Sequence, residues 1–261
     1  MSEIRDQKNQ LTTKSTKNIK MQEKIKYRDI RDELDTGDVL LFRGKGLLSA
    51  AILWFCSIVR LRRTEYSHIG VILKFTQAEI EYLVLLFREV ASQVPVDLAV
   101  ALKTRAVSGK EFHLFCMEST SLGKGKAGVR LSELSKVLKS YDGTVRVRKL
   151  RWYKSEMRIV RAMRFVVENV GINYPSGLAG VLVLAAAAVD PKKIDFPIKQ
   201  KNTRFCSDLV TGFFRILVGD VFGVPDYEVI PENFAKGDFV DKQMRLCTPS
   251  ASLGEEIELE L

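Results

Sequence analysis

Three short apolar runs most restrict the folds open to this chain: YSHIGVILKF (66–75), KEFHLFCMEST (110–120) and GTVRVRKL (143–150). Each is rich in β-branched or aromatic residues and reads as a strand. The third alternates polar with apolar, as a half-exposed strand does. Segments of helical character surround them. GLLSAAILWFCSIVRL has the length of a helix and little polar surface. SEMRIVRAMRFVVENVG spaces its apolar residues helically, with Ser155 as cap and Gly171 as stop. GVRLSELSKVLKS begins as a strand edge and becomes a short helix, with Ser132 as the expected N-cap. Residues 77–93 read as a helix or a hairpin insertion. A turn at Thr36-Gly37-Asp38 leads into a strand over 39–43, and IPENFAKGDFVDKQMRL reads as a loop followed by a short helix or strand. The pattern implies an α+β fold in which a small antiparallel sheet packs against helices.

Length and composition narrow the setting. With 261 residues and a hydrophobic fraction of 46%, a sizeable core can be buried. Residues 1–28 are polar and basic and are expected to be a disordered tail. Residues 249–261, ending GEEIELEL, read as an acidic tail, leaving 29–248 as one domain with no internal repeat. The N-terminus lacks the apolar segment of a signal peptide. The net charge of +9 invites nucleic acid or anionic lipid. The excess is spread thinly, however, without basic residues interleaved with aromatics, so no specific nucleic-acid partner is expected. Two apolar stretches, 46–59 and 177–189, fall short of the roughly 18–20 residues that span a bilayer. Buried core helices are the first reading. Insertion at a membrane surface is the alternative for the first stretch, which the basic RLRR follows.

Cysteines stand at 56, 116, 206 and 247, with no CxxC spacing, so zinc and redox motifs are not indicated. Scattered cysteines in a large chain indicate reduced thiols and a cytoplasmic setting. No metal or organic cofactor is implied. Cys56 and Cys116 lie within apolar elements, where a free thiol acts as a small hydrophobe. Cys247 stands in the tail with no evident base. Cys206 differs, because it opens the amphipathic run SDLVTGFFRIL. A helix N-terminus lowers a thiol pKa from about 8.5 and supplies donors for an oxyanion. It reads as a nucleophile or as buried filler. Only two imidazoles exist to activate it. His68 is near the start of a strand with Gly70 beside it, leaving room for another chain or a substrate. His113 is flanked by bulky apolar residues. Glu118 closes the run FHLFCM out of pattern, which makes it either a partner for an imidazole or a solvated strand end.

TGDVLLFRG, YSHIGVIL, FCMEST followed by GVRLSEL, NYPSGLAG, RFCSDLV and VIPENF, in that order, resemble the circularly permuted branch of the NlpC/P60 papain-like superfamily. This is the YiiX-like group, which includes poxvirus proteins. The resemblance runs from about Asp35 to Phe234. Its distinctive feature is the order His, Glu, Cys, because ordinary papain-like enzymes place Cys first. It implies Cys206 as nucleophile, His68 as base and Glu118 as orienting group, with a backbone carbonyl or another polar residue as the rival third member. Asp208 stands where Glu is commoner, and residues 75–111 and the link before Cys206 are longer than expected.

The activity so implied is that of a cysteine hydrolase acting through a thioester: a thiol peptidase or amidase, or a lipid acyl hydrolase or acyltransferase. The substrate is a peptide, an amide or an acyl lipid, with peripheral contact to an anionic membrane through the basic tail. A catalytically silent binding or virion-associated module is the alternative, and the location expected is the cytoplasm of a cell or host, or a virion.

Overall fold

The computed structural model describes residues 24–60, 64–90, 93–108, 112–120, 127–174, 203–220, 229–237, 239–248 and 250–261. Seven strands form one sheet: β1 (Ile25–Lys26), β2 (Val39–Gly44), β3 (His68–Thr76), β4 (Phe112–Thr120), β5 (Gly128–Glu133), β6 (Gly143–Arg151) and β7 (Ser252–Glu260). Their order is β1-β7-β6-β2-β3-β4-β5, antiparallel throughout except for the parallel β1–β7 pair. The helices are α1 (Leu47–Arg60), α2 (Gln77–Val90), α3 (Val96–Ser108), α4 (Leu134–Ser140), α5 (Glu156–Asn169), α6 (Cys206–Val218) and α7 (Phe239–Cys247). The architecture is α+β, with a sheet larger than expected.

Strand β3 is nearly all apolar because both sheet faces are covered. Ile69, Val71 and Leu73 point into the larger core with Phe115, Met117, Leu209, Val210 and Phe213 of α6, and Val166 of α5. Leu40, Phe42, Ile72, Leu114 and Cys116 point the other way, to Leu134 and Leu138 of α4 and to Ile30 and Leu34. The turn at 36–38 fixes the start of β2. Gly37 has φ +99°, and a Cβ there would lie 2.7 Å from Leu150 Cδ2. Asp38 accepts hydrogen bonds from Leu150 N and Asp35 N, each 2.8 Å. Burial drives its carboxyl up, against those bonds, to about 6.

Several expectations are corrected. Residues 252–260 are a sheet strand, not an acidic tail. Alternation sends Ile257 and Leu259 to the smaller core, while Glu258 and Glu256 meet Arg146 of β6 at 3.4 and 3.1 Å. Residues 25–28, assigned to the disordered tail, form β1 and the start of a helical turn (Tyr27–Ile30); residues 1–23 lie outside the described residues. Ser132 stays in β5, and α4 starts after Glu133 without a side-chain cap. Ser155 caps α5 as predicted, accepting from Arg158 N, and Gly171 follows its end at φ +91°. Residues 77–90 are helical, so the stretch between the His and Glu strands is largely a helix pair, α2 and α3. The apolar stretch 177–189 lies outside the described residues. Among the described residues, no helix is long and apolar enough to cross a membrane.

Beneath β7, a buried cation joins three elements. Arg148, 1% exposed, donates to Gly254 O (2.8 Å), Phe234 O (2.6 Å) and both carboxylate oxygens of Asp241 (2.8 and 2.9 Å). Its guanidinium fork thus ties β6 to β7, α7 and the 3₁₀ turn Pro231–Phe234.

Candidate active site

His68 is the first residue of β3, and Glu118 lies near the end of the neighbouring strand β4. The register sets Gly70 against Glu118, so His68 and Glu118 share a face one diagonal step apart, within reach of long side chains. His68 Nε2 and Glu118 Oε2 are hydrogen-bonded at 2.7 Å, with side chains 18% and 14% exposed. A carboxylate in such partial burial needs a donor, and the imidazole supplies it. Phe42, opposite His68 on β2, packs its ring 5.2 Å from the imidazole centre. Gly70 serves this packing rather than a substrate. A Cβ there would meet Cys116 Sγ at 2.9 Å and the Phe42 ring at 3.5 Å.

Cys206 is the first residue of α6 and is nearly buried. Asp208 accepts from Phe205 N at 3.3 Å, placing a carboxylate in the helix's first turn, where the macrodipole favours one. The residues leading into α6 are pinned from two sides. The Ser119 hydroxyl, next to Glu118, donates to Arg204 O, and Arg204 N donates to Asn173 O at 3.1 Å. These bonds hold the start of α6 at the end of the sheet where β3 begins and β4 ends.

The helix packs on the opposite sheet face from His68 and Glu118, and the two sides meet at those strand ends. Burial of the His68 ring works against its charge. The charge of Cys206 and a hydrogen bond from the ring to that side chain outweigh burial, joined by the hydrogen bond and charge of Glu118, and the ring is held up at about 10. His68, Glu118 and Cys206, singled out from sequence, are therefore neighbours.

Two further side chains bear on this site, and no role could be assigned to them from sequence. Tyr174 packs edge-on against Phe205 (5.7 Å between centres). Burial, and then the charges of Cys206 and Asp208, push its phenol above the usual range. Its hydroxyl therefore keeps its proton. Glu232, in the turn after Ile230, is buried, and its Oε2 accepts from Glu65 N (2.7 Å) and Tyr66 N (3.3 Å), which lead into His68. NYPSG and VIPENF contain these residues, but only the folded chain shows what they face.

His113 stays apart. It lies at the start of β4 and lines a cavity of about 150 Å³ with Tyr27, Arg31, Leu114, Glu133 and Ser135. Cys116 is wholly buried, and burial, with the Glu118 charge, raises its thiol well above the ordinary range. Cys56 and Cys247 fall within α1 and at the end of α7, the latter in a helix rather than a tail; their side chains lie outside the described residues. Among the described residues, no group of three or more His, Cys, Asp or Glu side chains is arranged to hold a metal. Compared with protein-family models and with curated proteins, the chain matches none.

Proposed function

We propose that this chain is a cysteine-dependent acyl-transfer enzyme with a circularly permuted papain-like fold, acting on an amide or ester carbonyl. The observation that carries the reading is the His68 imidazole bonded to the Glu118 carboxylate at the strand ends to which the Ser119–Arg204 hydrogen bond ties the start of the helix bearing Cys206. The strands bearing His and Glu precede the helix bearing Cys, which supports the permuted arrangement.

His68 takes the Cys206 thiol proton, with Glu118 fixing the ring and stabilising the charge it acquires. The thiolate attacks the carbonyl carbon. The electron pair moves to the oxygen, which accepts hydrogen bonds from first-turn N–H groups of α6 and from the Tyr174 hydroxyl. Collapse breaks the bond to the amine or alcohol, and His68 passes its proton to that leaving group. The product is a thioester on Cys206 and a neutral imidazole. Water, or an acceptor alcohol or amine, gives a proton to His68 and attacks the thioester. The acid or transferred ester leaves, and the thiolate–imidazolium pair returns.

The test is incubation of the chain and of Cys206→Ala with peptides, isopeptides, acyl amides and phospholipids, with mass spectrometry for acyl-cysteine. The expected result is turnover of one class by the wild type, an acyl adduct on Cys206, and neither with the variant. Turnover that survives in Cys206→Ala overturns the reading. Absence of both adduct and turnover across the panel, with a properly folded chain, favours a silent binding module instead.

A further inference from the structure

Helix α1 is the most apolar described helix, yet none of its described side chains belongs to either core cluster. Between Leu47 and Val59 the sequence LLSAAILWFCSIV contains no charged residue. Among its described side chains none is buried. Ala50, Ala51 and Trp54 are exposed, Trp54 at 68%, and Ser49, Ile52, Leu53 and Ser57 are half-buried. These described side chains depart from the expectation of a buried helix. An apolar surface of this kind, left open to water, marks an interaction site.

The surrounding charges identify the occupant. From Val39 to Thr64 the chain has no acidic residue, but it has Arg43 and Lys45 before the helix and Arg60, Arg62 and Arg63 at and after its end. Arg43 and Lys45 are exposed. An uncharged helix with an exposed indole, bracketed by cations, has the composition of a segment lying in a lipid interface. At about 1.5 Å per residue, its fourteen residues are too short to cross a hydrocarbon core of about 30 Å. We propose that α1 docks this protein onto an anionic lipid bilayer, the helix lying in the headgroup plane. Lys45 already meets Asp142 at 3.4 Å, and a second copy, or the chain's own apolar stretch at 177–189, would cover the apolar face without using the run of arginines that follows it in sequence.

Docking there reaches the candidate site directly. Thr64 N donates to Ser57 Oγ (3.0 Å), and the Thr64 hydroxyl donates to Leu53 O (3.0 Å), clamping the second half of α1 onto the segment that enters β3 at His68. A bilayer beneath α1 therefore lies close to the segment that carries His68 and favours acyl lipids as substrates. That last step rests on the catalytic reading; the docking itself does not.

The test uses the two tryptophans, Trp54 and Trp152. In the full chain carrying Trp152→Phe, checked by circular dichroism, Trp54 is the sole indole. Vesicles of phosphatidylcholine alone and with about 30% phosphatidylserine are added, some with brominated acyl chains. The expected result is a blue shift and bromine quenching with the anionic vesicles, weakened by salt. In co-sedimentation of the otherwise native chain, Trp54→Ser should lower partitioning about tenfold or more, a loss comparable to returning one large apolar side chain to water. Arg62→Ser and Arg63→Ser should each lower it about fivefold. Cys206→Ser should bind as the wild type does, so that loss of catalysis and loss of docking are read separately. Blue emission without vesicles that vesicles do not move would overturn the proposal and assign the face to the chain itself or to a second copy. Vesicle binding unchanged by Trp54→Ser would overturn it too, as would no binding to either vesicle.

Discussion

Replacing Glu118 by Gln keeps the shape of the His68 partner and removes its charge. The present contact is a 2.7 Å hydrogen bond between groups that are both mostly shielded from water. Hydrogen bonds to charged groups are worth about 1.5–3 kcal/mol. At about 1.4 kcal/mol per tenfold, the variant should shift the imidazolium–imidazole ratio roughly ten- to a hundredfold toward the neutral ring. The titration of His68 should therefore fall from about 10 toward neutrality. The ring's folded-state pKa is raised, so its stabilising contribution is complete below about 6.5 and fades as pH climbs through about 10. Glu118→Gln should narrow that window from its upper end. Proton NMR suits the measurement, because the chain has only two histidines and His113→Gln leaves one ring signal to follow. A His68 signal titrating near 6.5 in the wild type, or one unmoved by Glu118→Gln, would refute the claim that the carboxylate holds the ring charged.

Other substitutions probe the frame around the site. Arg148→Met leaves the Asp241 carboxylate without its buried cation and should cost about 3–5 kcal/mol, a fall in Tm of roughly 10 °C; calorimetry showing a change under about 2 °C would contradict its joining role. Asp38 has a raised folded-state pKa, so the stability it supports below about 4 is lost as pH rises through about 6. Urea melts of Asp38→Asn against the wild type should lack that loss, which amounts to about 3 kcal/mol. Glu232→Ala strips the acceptor from two backbone N–H groups just before His68. It should cost about 1–3 kcal/mol and slow alkylation of Cys206, and Glu232→Gln should restore most of both; equal alkylation rates in all three proteins would remove Glu232 from the positioning of His68.

The site was more legible in the sequence than the sheet was. His68, Glu118 and Cys206 each stand out of their local pattern: an imidazole opening an apolar strand, a carboxylate closing one, and a thiol opening an amphipathic helix. Strand β7 was hidden because GEEIELE looks solvated until Arg146 and Tyr66 are seen to receive its carboxylates. The environment of α1 was hidden for the opposite reason. Hydropathy registers an apolar segment equally whether protein or open solvent lies against it, and Trp54 is exposed. Tyr174 and Glu232 act through contacts across 31 residues (174 to 205) and 167 residues (65 to 232) of chain, which no local pattern encodes. Sequence alone suggests that Gly70 leaves room for a visitor, but Cys116 Sγ occupies the space.

The most direct measurement is the rate at which a small alkylating probe labels each cysteine between about pH 5 and 9, read by peptide mass spectrometry, in the wild type and in His68→Ala. An imidazole-primed sulfur predicts that Cys206 labels rapidly down to about pH 6 while Cys116 stays inert, and that His68→Ala abolishes the difference at low pH. Cys206 labelling no faster than Cys116, or at an unchanged rate in His68→Ala, would contradict the account.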